Sequence, residues 1–298
     1  MNPIYEVLKG LMRRYKKRVP DVSKVTKALI DQNVIKREED ISNDHIAFRT
    51  MGLPNLGIQS FEKIFVHYGY KAEDDYNFES KKLNARWYSP PEDSLPRIFI
   101  SELRVNELSV GVQRIIKKYT KHIISDPVDE LNLDEASMVD QFLHSPLWSA
   151  PSWEDFKTLQ AESEYAAWVI YNRYYLNHYT ISVHELQEGY NTLEKFNFFL
   201  KSIGVILNDS GGIVKKSADG FLIQSSTVSQ LCNAKFANGD YHEIAGSYVE
   251  FCERKVLKKF EGLPTKEIKR EHRREGFEVG NADKIFESTN LNQIKKRT

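Results

Sequence analysis

The chain has 298 residues, with 42 Lys+Arg against 42 Asp+Glu, and 41% of it is hydrophobic. That is enough apolar material for one large core or two modest ones, which excludes a disordered or fibrous chain. A formal net charge of +0 argues against a phosphate-coating nucleic-acid binder, and the two cysteines, Cys232 and Cys252, are too few for a disulfide framework or a thiolate zinc site.

No run of about 18 apolar residues marks a membrane span. Lys9, Arg13, Arg14, Lys16, Lys17 and Arg18 interrupt the apolar residues near the N-terminus, so no signal peptide is expected. The expectation is a cytoplasmic protein with neither nucleic acid nor membrane as a partner; its oligomeric state is not legible.

In chain order, residues 1–43 read as a helical cap: Ile4, Val7, Leu8 and Leu11 fall at helical spacing, and Pro20 separates them from Val22, Val25 and Leu29. From Asp44 the period changes to two. In "DHIAFRT", Ile46 and Phe48 share one face, while His45, Ala47 and Arg49 share the other.

A pattern then occurs twice. The first copy reads strand (44–50), helix (58–70), strand (84–89), strand (97–103); the second reads strand (177–183), helix (191–205), strand (220–227), strand (247–254). Each copy opens with a carboxylate or amide residue followed by histidine, and each closes on a strand bearing a glutamate, Glu102 in one and Glu250 in the other. The expected fold class is α+β, with two paired βαβββ modules at 44–106 and 177–256. A helical insertion at 107–176 breaks at Pro151–Trp153, and the extension at 257–298 is a polar tail that partly packs through Phe277, Val279, Ile285 and Phe286. "NDSGG" at 208–212 is a turn between helix and strand, and no Walker loop, GxGxxG, GxSxG or HExxH is found.

His45, His178 and Glu250 are the principal candidates, because two imidazoles and one carboxylate are the ingredients of a facial triad. Such a triad leaves three positions open on an ion, two for a chelating 2-oxo acid and one for O2. Equivalent positions of two modules related by a pseudo-twofold meet across a cavity, and His45 and His178 are such positions. In the second copy His178, Thr180, Ser182 and His184 share a face, and in the closing strand Tyr248, Glu250, Cys252 and Arg254 do. A carboxylate buried there needs a cation or a pairing partner such as Arg254 or Lys215. Arg49 lies about 13 Å along the strand from His45. It suits either the far carboxylate of a substrate or an ion pair with Asp44. Glu102 is a candidate fourth ligand or a partner for an imidazole. His184 is a candidate base or supporting group, or simply a strand-end histidine. Gln224, Ser226 and Thr227 offer donors to an oxygen-rich ligand, or ordinary strand polarity.

At these residues the sequence resembles the 2-oxoadipate dioxygenase/decarboxylase family, also called hydroxyglutarate synthases, within the vicinal oxygen chelate superfamily. The likeness covers most of the chain. It rests on "DHIAFRT", "ESEYAAW" (Glu162–Trp168), "NHYTISV", "SYVEFCER" and the tail segment "REGFEVGNADKIFEST". It implies Fe(2+) held by His45, His178 and Glu250, with Arg49 gripping a substrate carboxylate. The implied reaction is oxidative decarboxylation of 2-oxoadipate with O2 to 2-hydroxyglutarate and CO2 in lysine breakdown. The alternative is a glyoxalase-like metal-dependent isomerase, lyase or hydrolase with Glu102 as an additional ligand. A third reading is a non-catalytic protein that sequesters a small ligand.

Overall fold

The computed structural model describes residues 2–297. Two helices come first, α1 (Ile4–Arg18) and α2 (Pro20–Asp31), divided where Pro20 can open a helix but not continue one. The buried stripe of α1 includes Ile4, Val7, Leu11 and Tyr15. The first repeat follows as β1 (Asn43–Met51), α3 (Ile58–His67), β2 (Lys71–Phe78), β3 (Leu83–Ser89) and β4 (Arg97–Leu103). Four helices bridge to the second: α4 (Val110–Thr120), α5 (Ala136–His144), α6 (Trp153–Glu162) and α7 (Glu164–Asn172). The second repeat is β5 (His178–Ser182), α8 (Leu193–Ser202), β6 (Lys215–Lys216), β7 (Leu222–Ser226), a hairpin of β8 (Leu231–Lys235) and β9 (Tyr241–Ala245), and β10 (Tyr248–Arg254). The tail adds α9 (Val279–Phe286) and α10 (Leu291–Ile294).

Eight strands form one sheet in the order β2-β3-β4-β1-β5-β10-β7-β6. β1 and β5 run antiparallel at its centre, and each has the closing strand of its own repeat, β4 or β10, as a parallel neighbour. The order reads the same from either end once β1 is matched to β5, β4 to β10, β3 to β7 and β2 to β6. The repeat is therefore a pseudo-twofold whose axis passes between β1 and β5, and the α+β architecture is as expected.

Period-two alternation gives the central strands two different faces. Phe48 of β1 packs 4.8 Å from Phe61 and 5.6 Å from Phe65 of α3, and Phe251 of β10 lies 5.3 Å from Phe196 of α8 (ring centroids). The helices thus cover one face. The opposite face carries the polar candidates, and the tail covers it, so every residue of β5 and β10 is buried.

Three features depart from the sequence reading. β2 and β6 extend the modules at the two sheet edges, where charged and exposed residues hide the alternation. The β8–β9 hairpin, absent from the expected pattern, interrupts the second repeat, and its His242 stacks 4.1 Å from Trp153. The helical insertion breaks again at Ser163, whose Oγ accepts from Ala166 N (3.1 Å) and starts α7. Residues 208–212 do lie between α8 and β6, as the turn reading required. Among the described residues no helix is long and apolar enough to cross a membrane.

Candidate metal centre

His45 lies where the β1–β5 pairing slips, while His178 opens β5 and Glu250 lies in the middle of β10. One ligand atom from each lies within 4.8 Å of the others, and all three residues are buried. His178 Nε2 stands 3.2 Å from Glu250 Oε2, and His45 Nε2 stands 3.5 Å from Glu250 Oε1.

The residue preceding each histidine fixes its ring. His45 Nδ1 lies 2.8 Å from Asp44 Oδ1, and His178 Nδ1 lies 3.1 Å from Asn177 Oδ1. An oxygen acceptor beside Nδ1 keeps the proton there and leaves the Nε2 lone pair pointing at Glu250, with the tautomer assigned from this network. Asp44 is in turn gripped by Arg254 (2.7 and 3.0 Å) and by Arg97 (3.3 Å). Burial would raise the Asp44 carboxyl, but the two guanidinium groups outweigh it and hold it well below the ordinary range. Gln224 Nε2 donates to Glu250 Oε1 (2.5 Å), and Asn281 of α9 donates to Gln224 Oε1 (2.9 Å).

Burial pushes the His178 ring well below its ordinary value, and the charges of His45 and Arg49 act the same way, so it is a neutral donor. For His45, burial acts downward too, but the Glu250 and Asp44 carboxylates outweigh it and hold the ring above its ordinary value. The Thr180 hydroxyl lies 3.0 Å from His45 Nε2, but beside the Glu250 oxygens both imidazole lone pairs still repel unless a cation or a proton lies between them. The donor set therefore fits a divalent ion of the kind that two histidines and one carboxylate hold.

Arg49 shares the inner face of β1 with His45 and is 2% exposed. The guanidinium does not pair with Asp44. It donates instead to Thr289 Oγ1 (3.0 Å) and the Phe286 carbonyl (3.1 Å), ringed by Tyr165, Trp168 and Phe286 with its carbon 5.1 to 5.6 Å from their centroids. Glu164 acts on it only at longer range. The space beside the three donors is about 20 Å3, bounded by Phe99, Tyr248, Gln224 and the tail residues Phe277, Ala282, Ile285 and Phe286.

Two candidates fall elsewhere. Glu102 is not the counterpart of Glu250: β1 pairs Ala47 with Phe99 where β5 pairs Thr180 with Glu250, so Phe99 holds that position and Glu102 lies on the opposite face. Its carboxylate accepts from Ile58 N (2.8 Å), capping α3. The strand partner of each residue in a parallel pair is not visible in a one-chain pattern, hence the misplacement. His184 sits past the end of β5, its Nδ1 accepting from Arg254 N (3.2 Å), and burial pushes it down to about 3. Ser226 stays near the centre as the strand neighbour of Glu250, but its hydroxyl is shared with Ser288 (2.9 Å).

The sequence reading does not make Asp44 and Asn177 partners of the histidines; it offers Arg254 only as a partner for Glu250, Tyr248 only as sharing its face, and Phe99 not at all. The paired acceptor-histidine dipeptides were the available signal for the first two. The tail contributes far more than partial packing, since it walls the cavity and holds Arg49.

Two βαβββ modules with histidines from both sides of their seam define a glyoxalase-like, vicinal oxygen chelate fold carrying a candidate metal centre. A glyoxalase superfamily protein from Ralstonia eutropha JMP134 has the same fold, with a TM-score of 0.71 at 19% identity over 92% of this chain and 85% of that one. A family model described as 2-oxoadipate dioxygenase/decarboxylase matches residues 7–266. The Arabidopsis thaliana protein named "2-oxoadipate dioxygenase/decarboxylase, chloroplastic" is 44% identical over 272 residues, 88% of this chain and 71% of that one. The crystal structure of hydroxyglutarate synthase from Oryza sativa, in complex with 2-oxoadipate, is similar with a TM-score of 0.88 at 41% identity, covering 99% of this chain and 94% of that one. The chain belongs to the 2-oxoadipate dioxygenase/decarboxylase family, a family of enzymes, as its resemblance implied.

Proposed function

We propose that the protein is an Fe(II)-dependent dioxygenase and decarboxylase that converts 2-oxoadipate and O2 to 2-hydroxyglutarate and CO2 in lysine breakdown. The reaction balances without an added reductant: both atoms of O2 and all six carbons of the acid appear in the two products. The observation that carries this reading is the buried His45, His178 and Glu250 group, with both imidazoles fixed to present Nε2. Fe(II) held there would bind the 1-carboxylate and 2-oxo oxygens of the acid and supply redox chemistry with O2.

The chain's own contribution is positioning. Asp44 and Asn177 set the rings, and Gln224 steadies Glu250. Arg49, a buried cation with no acid in ion-pair range among the described residues, would take the distal carboxylate. Phe99, Phe277 and Ile285 keep water from the reacting end. The four-ligand alternative gains nothing from Glu102, which caps a helix.

The test is anaerobic purification, loading with Fe(II), and addition of 2-oxoadipate with O2 uptake followed. Equal amounts of O2 consumed, CO2 released and 2-hydroxyglutarate formed are expected. No uptake with any C5 to C7 2-oxo acid overturns the proposal. A cytoplasmic location belongs to the same reading, and cell fractionation decides it.

A further inference from the structure

Two buried hydrogen-bond donors face each other beside the cavity, Arg49 Nε and the Tyr248 hydroxyl, and neither has a partner outside this pair. Tyr248 is fully buried on β10, two residues before Glu250 on the same face. Its ring lies 4.8 Å from that of His178, and it lines the cavity with the three metal-ligand candidates. A tyrosine hydroxyl whose proton has no acceptor in a packed interior is costly, since phenylalanine would fill the same volume without it. A phenol is neutral at ordinary pH, so it is a donor and not a charge. The adjacent guanidinium has spent Nη1 and Nη2 on Thr289 and Phe286, leaving Nε free. A cation and a neutral O–H side by side, with no acceptor for the hydroxyl proton, match one carboxylate, whose two oxygens accept one bond from each.

We infer that Tyr248 is a specificity-determining residue: its hydroxyl binds the far carboxylate of the substrate together with Arg49 Nε, selecting 2-oxo dicarboxylic acids over 2-oxo acids with an apolar end. This rests on the proposed 2-oxo acid oxygenase reading. It goes further by assigning to a residue with no ligand or Arg49-type role the choice between acids of equal length. A site built to bond a polar group rejects an analogue lacking it, because its own buried groups then stay unpaired.

The experiment compares wild type with Tyr248→Phe on 2-oxoadipate and on 2-oxohexanoate, which has the same chain length and no second carboxylate. Anaerobic calorimetry on the Fe(II)-loaded proteins gives Kd, and O2 uptake gives kcat and KM. In the variant, Kd and KM for 2-oxoadipate should rise about 10-fold or more with kcat changed little, while the values for 2-oxohexanoate stay within about twofold. Thermal stability without ligand should be unchanged or higher, because the unpaired hydroxyl is gone. Equal weakening of both acids, a fall in kcat alone, or no change for 2-oxoadipate overturns the inference, as does failure of wild type to prefer the dicarboxylate. If wild type binds 2-oxoadipate with a Tyr248-dependent preference yet consumes no O2, the oxygenase reading fails and the carboxylate subsite stands.

Discussion

The two halves of the sheet share a topology but not a chemistry. Superimposing β1 on β5 through their histidines puts Arg97 at the place of Tyr248, Phe99 at that of Glu250, and Met51 at that of His184. The second half supplies a carboxylate to the centre where the first supplies a phenyl ring, and the first half supplies Arg49 where the second has Ser182. A fully symmetric centre would have four donors. Losing one to Phe99 leaves three, and the arginine of the donor-poor half stands ready for the far end of a substrate. The duplicated fold thus provides a pair of ligands, and divergence of the copies provides the open side.

The largest expected effect comes from breaking the one symmetric feature. His178→Ala should cost more than about 1000-fold in kcat/KM, or ~4 kcal/mol of transition-state stabilisation, with loss of stoichiometric iron by elemental analysis. Retained iron and activity would show that the halves do not share an ion. Restoring symmetry in the other direction, Phe99→Glu, should retain divalent metal but lower O2 uptake about 100-fold, because an added carboxylate occupies a position that a three-ligand site leaves open. Asp44→Asn copies the Asn177 arrangement into the first half. It should weaken metal binding by about 10- to 100-fold by competition titration, and destabilise the fold by ~3 kcal/mol or more by leaving Arg254 and Arg97 without their buried anion.

The smallest effect concerns His184 against its apolar counterpart Met51. Burial pushes His184 down to about 3. Between that value and about 6.5 the unfolded chain binds a proton that the folded chain refuses, so stability falls as pH drops through this window. At pH 5 the loss is ~2 kcal/mol, about 1.5 pH units at 1.36 kcal/mol each. His184→Asn should lessen the fall of the denaturation midpoint between pH 6.5 and 5, with the buried His178 still contributing in the same direction. An unchanged slope would assign the acid sensitivity to other groups.

How far the sequence carries depends on how local each signal is. The module repeat, the inner face of β1 and the parity of His178 and Glu250 are readable because alternation along a strand is a property of that strand alone. The exchange of Glu102 for Phe99 was unreadable, because it depends on how far β4 slides along β1, and sliding leaves no trace in either strand. Arg254 looked like a partner for Glu250 by proximity in sequence; in space it reaches Asp44, 210 residues away, and its bidentate grip depends on β1 and β10 flanking β5. The tail was the hardest to read. Its few apolar residues fall at no regular interval, and their role depends on a polar face of the sheet needing a cover.

That cover has a kinetic consequence. The void beside the donors has room for a water molecule or an ion, about 20 Å3, and a six-carbon acid does not fit. Phe286 stands between it and an outer hollow of about 320 Å3 that reaches Arg49 from the solvent side. A six-carbon acid reaching the donors from that hollow would have to displace Phe286 and Thr289 from the guanidinium, so a mechanical step is expected on entry and on product release. A thickened solvent such as concentrated sucrose should slow the enzyme at saturating substrate, making chain motion, and not bond cleavage, the pace-setter.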